Sequence, residues 1–269
     1  MNYHSDEWIM NRVWGHYKEA LEHFPEDRIV GIFYQGSGNY GLDYEGSDVD
    51  TKLIVTPTFE DIAMNKKAVS TTHIRENDEH IDFKDIRLYI QTFRKQNLNF
   101  LEILFTKYAI INPMYFAEWN RLVEAREAIA HYAPLQAIRS MKGIAMEKYH
   151  AMEHHYPARM AWINKFGYDP KQLHHLLRVN EYISRYIDGE SYEACLQSQM
   201  PEYLQKVKIG LHNLDDARII ANDAIECISK MCAKYLDSCP TEVDTNIDAL
   251  LDDVQYNIMK IAIKKEIGD

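Results

Sequence analysis

The sequence predicts an α+β protein, with a small mixed sheet in its front half and an all-helical back half. Two observations carry this reading. Short apolar runs, bounded by glycine, proline and polar turns, fall between Ile29 and Phe83, whereas beyond Pro113 apolar residues recur at spacings of three and four. A strand-rich stretch followed by helix after helix separates into two lobes rather than alternating into a parallel sheet.

Between Trp8 and Phe24 the apolar residues Trp8, Ile9, Val13, Trp14, Tyr17, Leu21 and Phe24 keep helical spacing, and Ser5 is available as a cap. Ile29 to Tyr34 is a β-branched, apolar run ending at Gly36, which predicts a buried strand. A Gly-rich turn, Gly36 to Gly41, follows, and Val49 to Val55 alternates apolar with polar residues before Pro57 closes it as a second strand. Ala68 to Ile74 and Glu79 to Phe83 predict two more strands around the polar turn Asn77-Asp78-Glu79. From Asp85 the pattern turns helical through Ile86, Leu88, Tyr89 and Phe93, and again after Asn97 through Leu101, Ile103, Leu104 and Phe105. The helices expected thereafter are Tyr115 to Ile129, Leu135 to His154, Pro170 to Ile187, Asp215 to Asp237 and Thr245 to Glu266. A boundary near Pro113 or Pro134 follows, giving domains at residues 1–112 and 113–269, with no internal repeat.

The composition, 46% hydrophobic and 26% charged over 269 residues, is that of a chain that folds throughout. The segment Met1 to Glu7 is polar, and no apolar run approaches the roughly 18 residues that span a bilayer, so the expectation is a cytoplasmic protein with no membrane partner. Cys195, Cys227, Cys232 and Cys239 form no C-x-x-C pair, which favours reduced structural thiols over a zinc site. A formal net charge of −11 disfavours a broad nucleic-acid footprint, while a small nucleotide needs only a local basic patch.

The chemistry concentrates in Gly36-Ser37, then ten residues, then Asp48-Val49-Asp50-Thr51. On a strand, alternate side chains share a face, so Asp48 and Asp50 project together and can hold hard divalent cations through oxygen. A glycine turn exposes backbone N–H groups, and the Ser37 hydroxyl adds a donor, which makes a cradle for phosphate. On the helix opened by Pro170, the residues Lys171, His175 and Arg178 are spaced by four and three and point from one face. That face is a candidate second wall, with two cations for phosphate and His175 for base, ribose or phosphate.

The Gly36-Ser37 and Asp48-Val49-Asp50 pattern resembles the signature of the DNA polymerase beta superfamily of nucleotidyltransferases. More narrowly, Gly36 to Leu42, Gly46 to Asp50, Asn97 to Leu104 and Gly167 to Arg178 resemble a nucleotidyltransferase family that includes RNA-repair-pathway members, over most of residues 28–190. Gly38 and the pair Leu173-His174 depart from that family's usual residues and bear on the shape of the nucleotide pocket. The resemblance implies a polymerase-beta-type catalytic domain with Asp48, Asp50 and a third carboxylate as metal ligands and catalytic residues. Asp82, between the apolar Ile81 and Phe83, is the choice for the third, with a share in deprotonating the acceptor hydroxyl. Glu79 and Asp85 compete but sit at strand ends, where a solvated carboxylate is the ordinary role. Gly36, Ser37, Lys171, His175 and Arg178 are the implied nucleotide contacts.

The cofactor implied is Mg²⁺, as two ions, with Mn²⁺ an alternative. The expected activity moves a nucleoside monophosphate from a nucleoside triphosphate, ATP first, to a hydroxyl of an RNA end, a protein or a small molecule, releasing pyrophosphate. The rival is a catalytically inactive nucleotide-binding module of the same fold. Plainer readings stand beside each residue: Asp48 and Asp50 as solvated acids, Asp82 as a surface carboxylate, and Lys171, His175 and Arg178 as a solvated helix face. Lys52 shares the face of Asp48 and Asp50 and either touches substrate or compensates their charge. His150, His154 and His155 are read as surface residues rather than a metal site.

Overall fold

The computed structural model describes residues 3–268, with Met1, Asn2 and Asp269 outside the described residues; the polar start is therefore seen only from Tyr3. The fold is mixed α+β, with one five-stranded sheet among many helices. The chain divides into two compact units: Met1–Asn39 with Asp43–Tyr132 and Val243–Asp269, and Tyr40–Leu42 with Ala133–Glu242. Residues 113–132 and 243–268, which a cut after residue 112 assigns to the helical domain, thus pack within the sheet-bearing unit.

In the first unit, α1 (Asp6–Ala20) begins where the Ser5 hydroxyl accepts the Trp8 N–H at 3.1 Å, satisfying a donor that the first turn leaves open. The strands are β1 (Ile29–Gln35), β2 (Asp50–Val55), β3 (Ser70–Ile74), β4 (His80–Asp85) and β5 (Ala109–Ile111), in the order β3-β4-β2-β1-β5. The β2–β4 pair is parallel and the other three are antiparallel, so the sheet is mixed, as the sequence predicts.

One strand was not expected. Ala109–Ile111 lies between the helical spacing that ends at Phe105 and the helices beyond Pro113, where the sequence reading names no element, yet it pairs antiparallel with Gly31 to Phe33 of β1. Three residues are too few to show either period, and tertiary pairing decides them.

Interspersed helices of this unit are α2 (Phe59–Ala63), α3 (Ile86–Arg94), α4 (Leu98–Leu101), α5 (Phe116–Glu124) and α6 (Arg126–His131). The helix expected over 115–129 is broken at Ala125 into α5 and α6. On one side of the sheet, Ile9 and Val13 of α1 join Ile32, Val49, Leu53 and Ile81 in a buried apolar cluster. The other side stacks Phe33 on Trp119 of α5, with ring centroids 4.5 Å apart. The last helix, Thr245–Ile267, is tied to α3 by Arg94, whose guanidinium reaches Asp248 at 2.8 Å and Asp252 at 2.6 Å.

The second unit holds α7 (Pro134–Ala151), α8 (Met160–Phe166), α9 (Pro170–Ile187), α10 (Tyr192–Leu196), α11 (Pro201–Lys208) and α12 (Leu214–Leu236). Proline at the first position opens α7, α9 and α11, where its missing N–H costs nothing. The short helices α8, α10 and α11 fall between the long ones read from periodicity. Helix α9 is central, packing Leu173, Leu176, Val179 and Ile183 in the interior against α7, α11 and α12. Its start is fixed by Gly167, whose φ of 81° ends α8 in the left-handed region, and by Asp169, which caps Lys171 N–H at 3.1 Å. The four cysteines are free. Among the described residues, no helix is long and apolar enough to cross a membrane.

Candidate active site

The register of the sheet brings the motif together. In the antiparallel β1–β2 pair Gln35 stands opposite Asp50, so Gly36-Ser37, just past the end of β1, lies at the same sheet end as the approach to β2. The Ser37 hydroxyl is 3.3 Å from that of Ser47, and the Ser47 oxygen also accepts the Tyr44 N–H at 2.9 Å, linking turn and loop. The turn itself is a short 3₁₀ segment, Ser37–Tyr40, in which the Gly38 N–H donates to the Tyr34 hydroxyl at 3.0 Å. A Cβ on Gly36 would lie 2.6 Å from that hydroxyl, so glycine is required there by the close approach of Tyr34.

Asp48 is exposed and precedes β2, which starts at Asp50 rather than Val49. Val49 between them is buried. Asp50 accepts the His80 N–H at 2.9 Å, a bond from the first residue of β4.

Asp82 lies opposite Lys52 in the parallel β2–β4 pair. Its two oxygens are engaged: one with Lys52 Nζ at 2.9 Å, the other with the Thr72 hydroxyl at 2.6 Å. Lys52 is buried, and its ammonium lies 4.2 Å from the centre of the Phe100 ring. Burial pushes the Lys52 pKa down, against the pull of Asp82 and, more weakly, of Asp50. Burial pushes the Asp82 carboxyl up, but Lys52, Thr72 and Lys84 outweigh it and hold it below the usual range. Lys52 therefore compensates the charge of Asp82, and not chiefly that of Asp48 and Asp50 as the sequence suggests.

The two competitors of Asp82 are not solvated strand-end acids. Asp85 is buried, caps α3 by accepting the Arg87 N–H at 2.8 Å, and is gripped by the Arg87 guanidinium at 2.7 and 2.9 Å. Glu79 is buried at 2% exposure and accepts from Val49 N–H at 2.9 Å, Arg75 at 3.1 Å, Asn77 at 3.0 Å and Arg12 at 2.5 Å, with His16 Nε2 at 3.0 Å. Burial raises its pKa, but His16, Arg12, Asn77 and the Val49 amide outweigh that and hold it far below the carboxylate range. Arg75 and Asn77 stand within four residues of Glu79, but sequence reasoning missed this role because Arg12 and His16 come from a distant helix that only the fold brings to it.

As a set for a hard cation, Asp48 and Asp50 fit: both are oxygen donors, one exposed and one half-exposed, at the open end of β2. Asp82 is not in position as a third ligand while Lys52 and Thr72 hold it, and among the described residues no three Asp, Glu, His or Cys side chains converge on a common point.

In the second unit, Lys171, His175 and Arg178 lie on one run of α9, and both cations act on His175. His175 keeps partial exposure, yet burial of its ring and the neighbouring His174, Lys171, Arg178 and Lys148 drive its pKa well below the ordinary value. His174, unassigned from sequence, is buried, bonds the Leu204 carbonyl through Nδ1 at 2.9 Å, and has its pKa pushed by burial down to about 3. Arg178 lies over the Tyr40 ring, 3.6 Å from its centroid, which accounts for Tyr40 as a buried platform. His150, His154 and His155 are exposed, in keeping with the surface reading.

No protein-family model matches the chain, and comparison with curated proteins likewise finds no match.

Proposed function

We propose that the chain is a metal-dependent nucleotidyltransferase that transfers a nucleoside monophosphate from a nucleoside triphosphate to an acceptor hydroxyl. The observation that carries this is the β1–β2 register: opposite Gln35 and Asp50, it sets a glycine-serine turn and two neighbouring carboxylates at one end of the sheet. A turn suited to phosphate and carboxylates suited to a cation at one sheet end support this reading, because the chemistry needs both side by side.

In the reaction the acceptor oxygen bonds to the α-phosphorus, the bond from that phosphorus to the bridging oxygen breaks, and pyrophosphate leaves. Mg²⁺, or Mn²⁺, supplies charge neutralisation of the triphosphate and polarisation of the acceptor. Asp48 and Asp50 hold it. Ser37 and the N–H groups after Gly36 bind the departing phosphates. Asp82 takes the acceptor proton once Lys52 turns from it, because a carboxylate held far below neutrality by an ammonium is a poor base. Lys171, His175 and Arg178 supply further contacts to the nucleotide, and the low proton affinity of His175 leaves it neutral, a hydrogen-bonding rather than a charged contact. The acceptor is a hydroxyl of RNA, protein or a small molecule.

One observation favours the inactive nucleotide-binding reading: both Asp82 oxygens are already engaged. Pyrophosphate release from each triphosphate, with Mg²⁺ and a pool of hydroxyl acceptors, separates the two readings. Release that disappears in Asp50→Asn supports transfer; nucleotide binding without release, in wild type under every acceptor, supports the inactive module.

A further inference from the structure

Around the backbone of Asp48-Val49-Asp50-Thr51 runs a closed ring of hydrogen bonds built from residues with no role assigned in the proposed chemistry. Glu79 accepts the N–H of Val49, the residue between the two carboxylates, at 2.9 Å. The next residue, His80, donates its N–H to Asp50 at 2.9 Å. Glu79 also meets His16 Nε2 at 3.0 Å, and His16 Nδ1 meets the Thr51 hydroxyl at 2.8 Å, on the residue after Asp50. A carboxylate only accepts, so Nε2 carries a proton, and Nδ1 is paired with the Thr51 hydroxyl, which can donate or accept. Glu79, His16 and Thr51 are all buried at 2% exposure or less.

A buried carboxylate is an expensive anchor for a loop, since desolvation costs several kcal/mol per ion unless partners restore it. Here Arg12 from α1 and Arg75 from the end of β3 neutralise Glu79, so two elements are committed to hold one peptide plane. A hydrophobic contact would hold α1 on the sheet without that commitment, as Ile9 and Val13 already do. What the carboxylate adds is direction. It fixes the peptide between Asp48 and Val49, and so the spacing at which the carboxylates of residues 48 and 50 leave the backbone.

We infer that Glu79, acting with His16 and Thr51, is a positioning residue that sets the geometry of the Asp48 and Asp50 carboxylates for a divalent cation, an inference that rests on the nucleotidyltransferase reading. Partners of this kind behind metal-binding carboxylates are worth about 10- to 100-fold in metal affinity.

The test titrates Mn²⁺ alone into the full chain, followed by electron paramagnetic resonance, and records the Mg²⁺ dependence of turnover and the melting temperature. Glu79→Gln removes the charge, and Thr51→Val removes only one hydroxyl and so guards against a Glu79 variant that fails to fold. The expected result is Mn²⁺ binding weakened by about 10- to 100-fold in Glu79→Gln, a smaller shift in Thr51→Val, and half-saturation by Mg²⁺ raised in step, with KM for the nucleotide at saturating metal unchanged. Thr51→Val, and any folded Glu79→Gln, that binds Mn²⁺ as wild type does overturns the inference, whatever happens to melting temperature. Asp50→Asn tells the two failures apart. If it too binds Mn²⁺ normally, the functional reading falls; if it loses Mn²⁺ while the others keep it, only the positioning role falls.

Discussion

Lys52→Met isolates the contact between the Lys52 ammonium and the Asp82 carboxylate. Methionine follows the unbranched stem of the lysine and is at ease in a site that is 4% exposed, so packing is largely kept. What is lost is an ion pair of 2.9 Å whose side chains are 6% and 30% exposed, and the ammonium over Phe100. A fully buried pair broken from one side costs about 3–5 kcal/mol. Asp82 keeps Thr72 and partial access to water, which brings the expected loss near the range for a charged hydrogen bond, about 1.5–3 kcal/mol. The pH dependence follows from the depressed pKa of Asp82. Its stabilising contribution is complete above the unfolded carboxyl pKa of about 3.9 and is lost as pH falls through the lower folded value. Urea unfolding therefore shows the full deficit of the variant at about pH 7 and a deficit that shrinks below about pH 4, where the unfolded carboxyl takes up its proton before the folded Asp82 does. An equal deficit at both pH values, or none at neutrality, refutes the pairing as described.

Asp48→Asn and Asp50→Asn each abolish pyrophosphate release with no fall in melting temperature, since an asparagine oxygen at position 50 still accepts the His80 N–H; near-wild-type release in either removes the site. Ser37→Ala deletes one neutral hydroxyl and its link to Ser47, expected to cost about 0.5–1.5 kcal/mol in triphosphate use, read from kcat/KM across nucleotide concentrations; unchanged kinetics remove Ser37 from the phosphate cradle. Arg178→Ala loses about 0.5–2 kcal/mol of stability with the Tyr40 stack and, under the proposed function, about 1.5–3 kcal/mol of nucleotide binding. Arg178→Lys restores part of the second loss, and nucleotide titration of folded Arg178→Ala at wild-type affinity ends the proposed role of this helix face.

The parts of the fold legible in the sequence were those where one period ran long enough to be heard. Helix α9 was read at its observed bounds because Pro170 opens it and its apolar residues hold one stripe for eighteen positions. Strand β1 was read because six of its seven residues are buried, so that β-branched and aromatic side chains run through it on both sides of Gly31. Where a segment is short, its conformation is set by a neighbour rather than by itself. Ala109–Ile111 becomes a strand because β1 offers a free edge, and Phe116 to His131 breaks at Ala125 although every residue in it tolerates a helix.

The same distinction governs the site. Asp48, Asp50 and Ser37 stand out in the sequence as candidates because they lie within one short stretch of chain, which the β1–β2 register folds back on itself. Glu79 and Asp85 were misread for a physical reason: a carboxylate at a strand end is cheap in water, and nothing local reveals that water is absent. For Asp85 a partial signal existed in Arg87, two residues away and able to grip both oxygens. For Glu79 a partial signal existed in Arg75, four residues away, whereas Arg12 and His16 reach it only through the packing of α1 against the sheet. A helix that looks like amphipathic cover in sequence thus also carries charge to the back of the Asp48–Asp50 segment. Arg12 and His16, one turn apart, occupy the edge of its buried face, where a purely apolar stripe would have placed leucines.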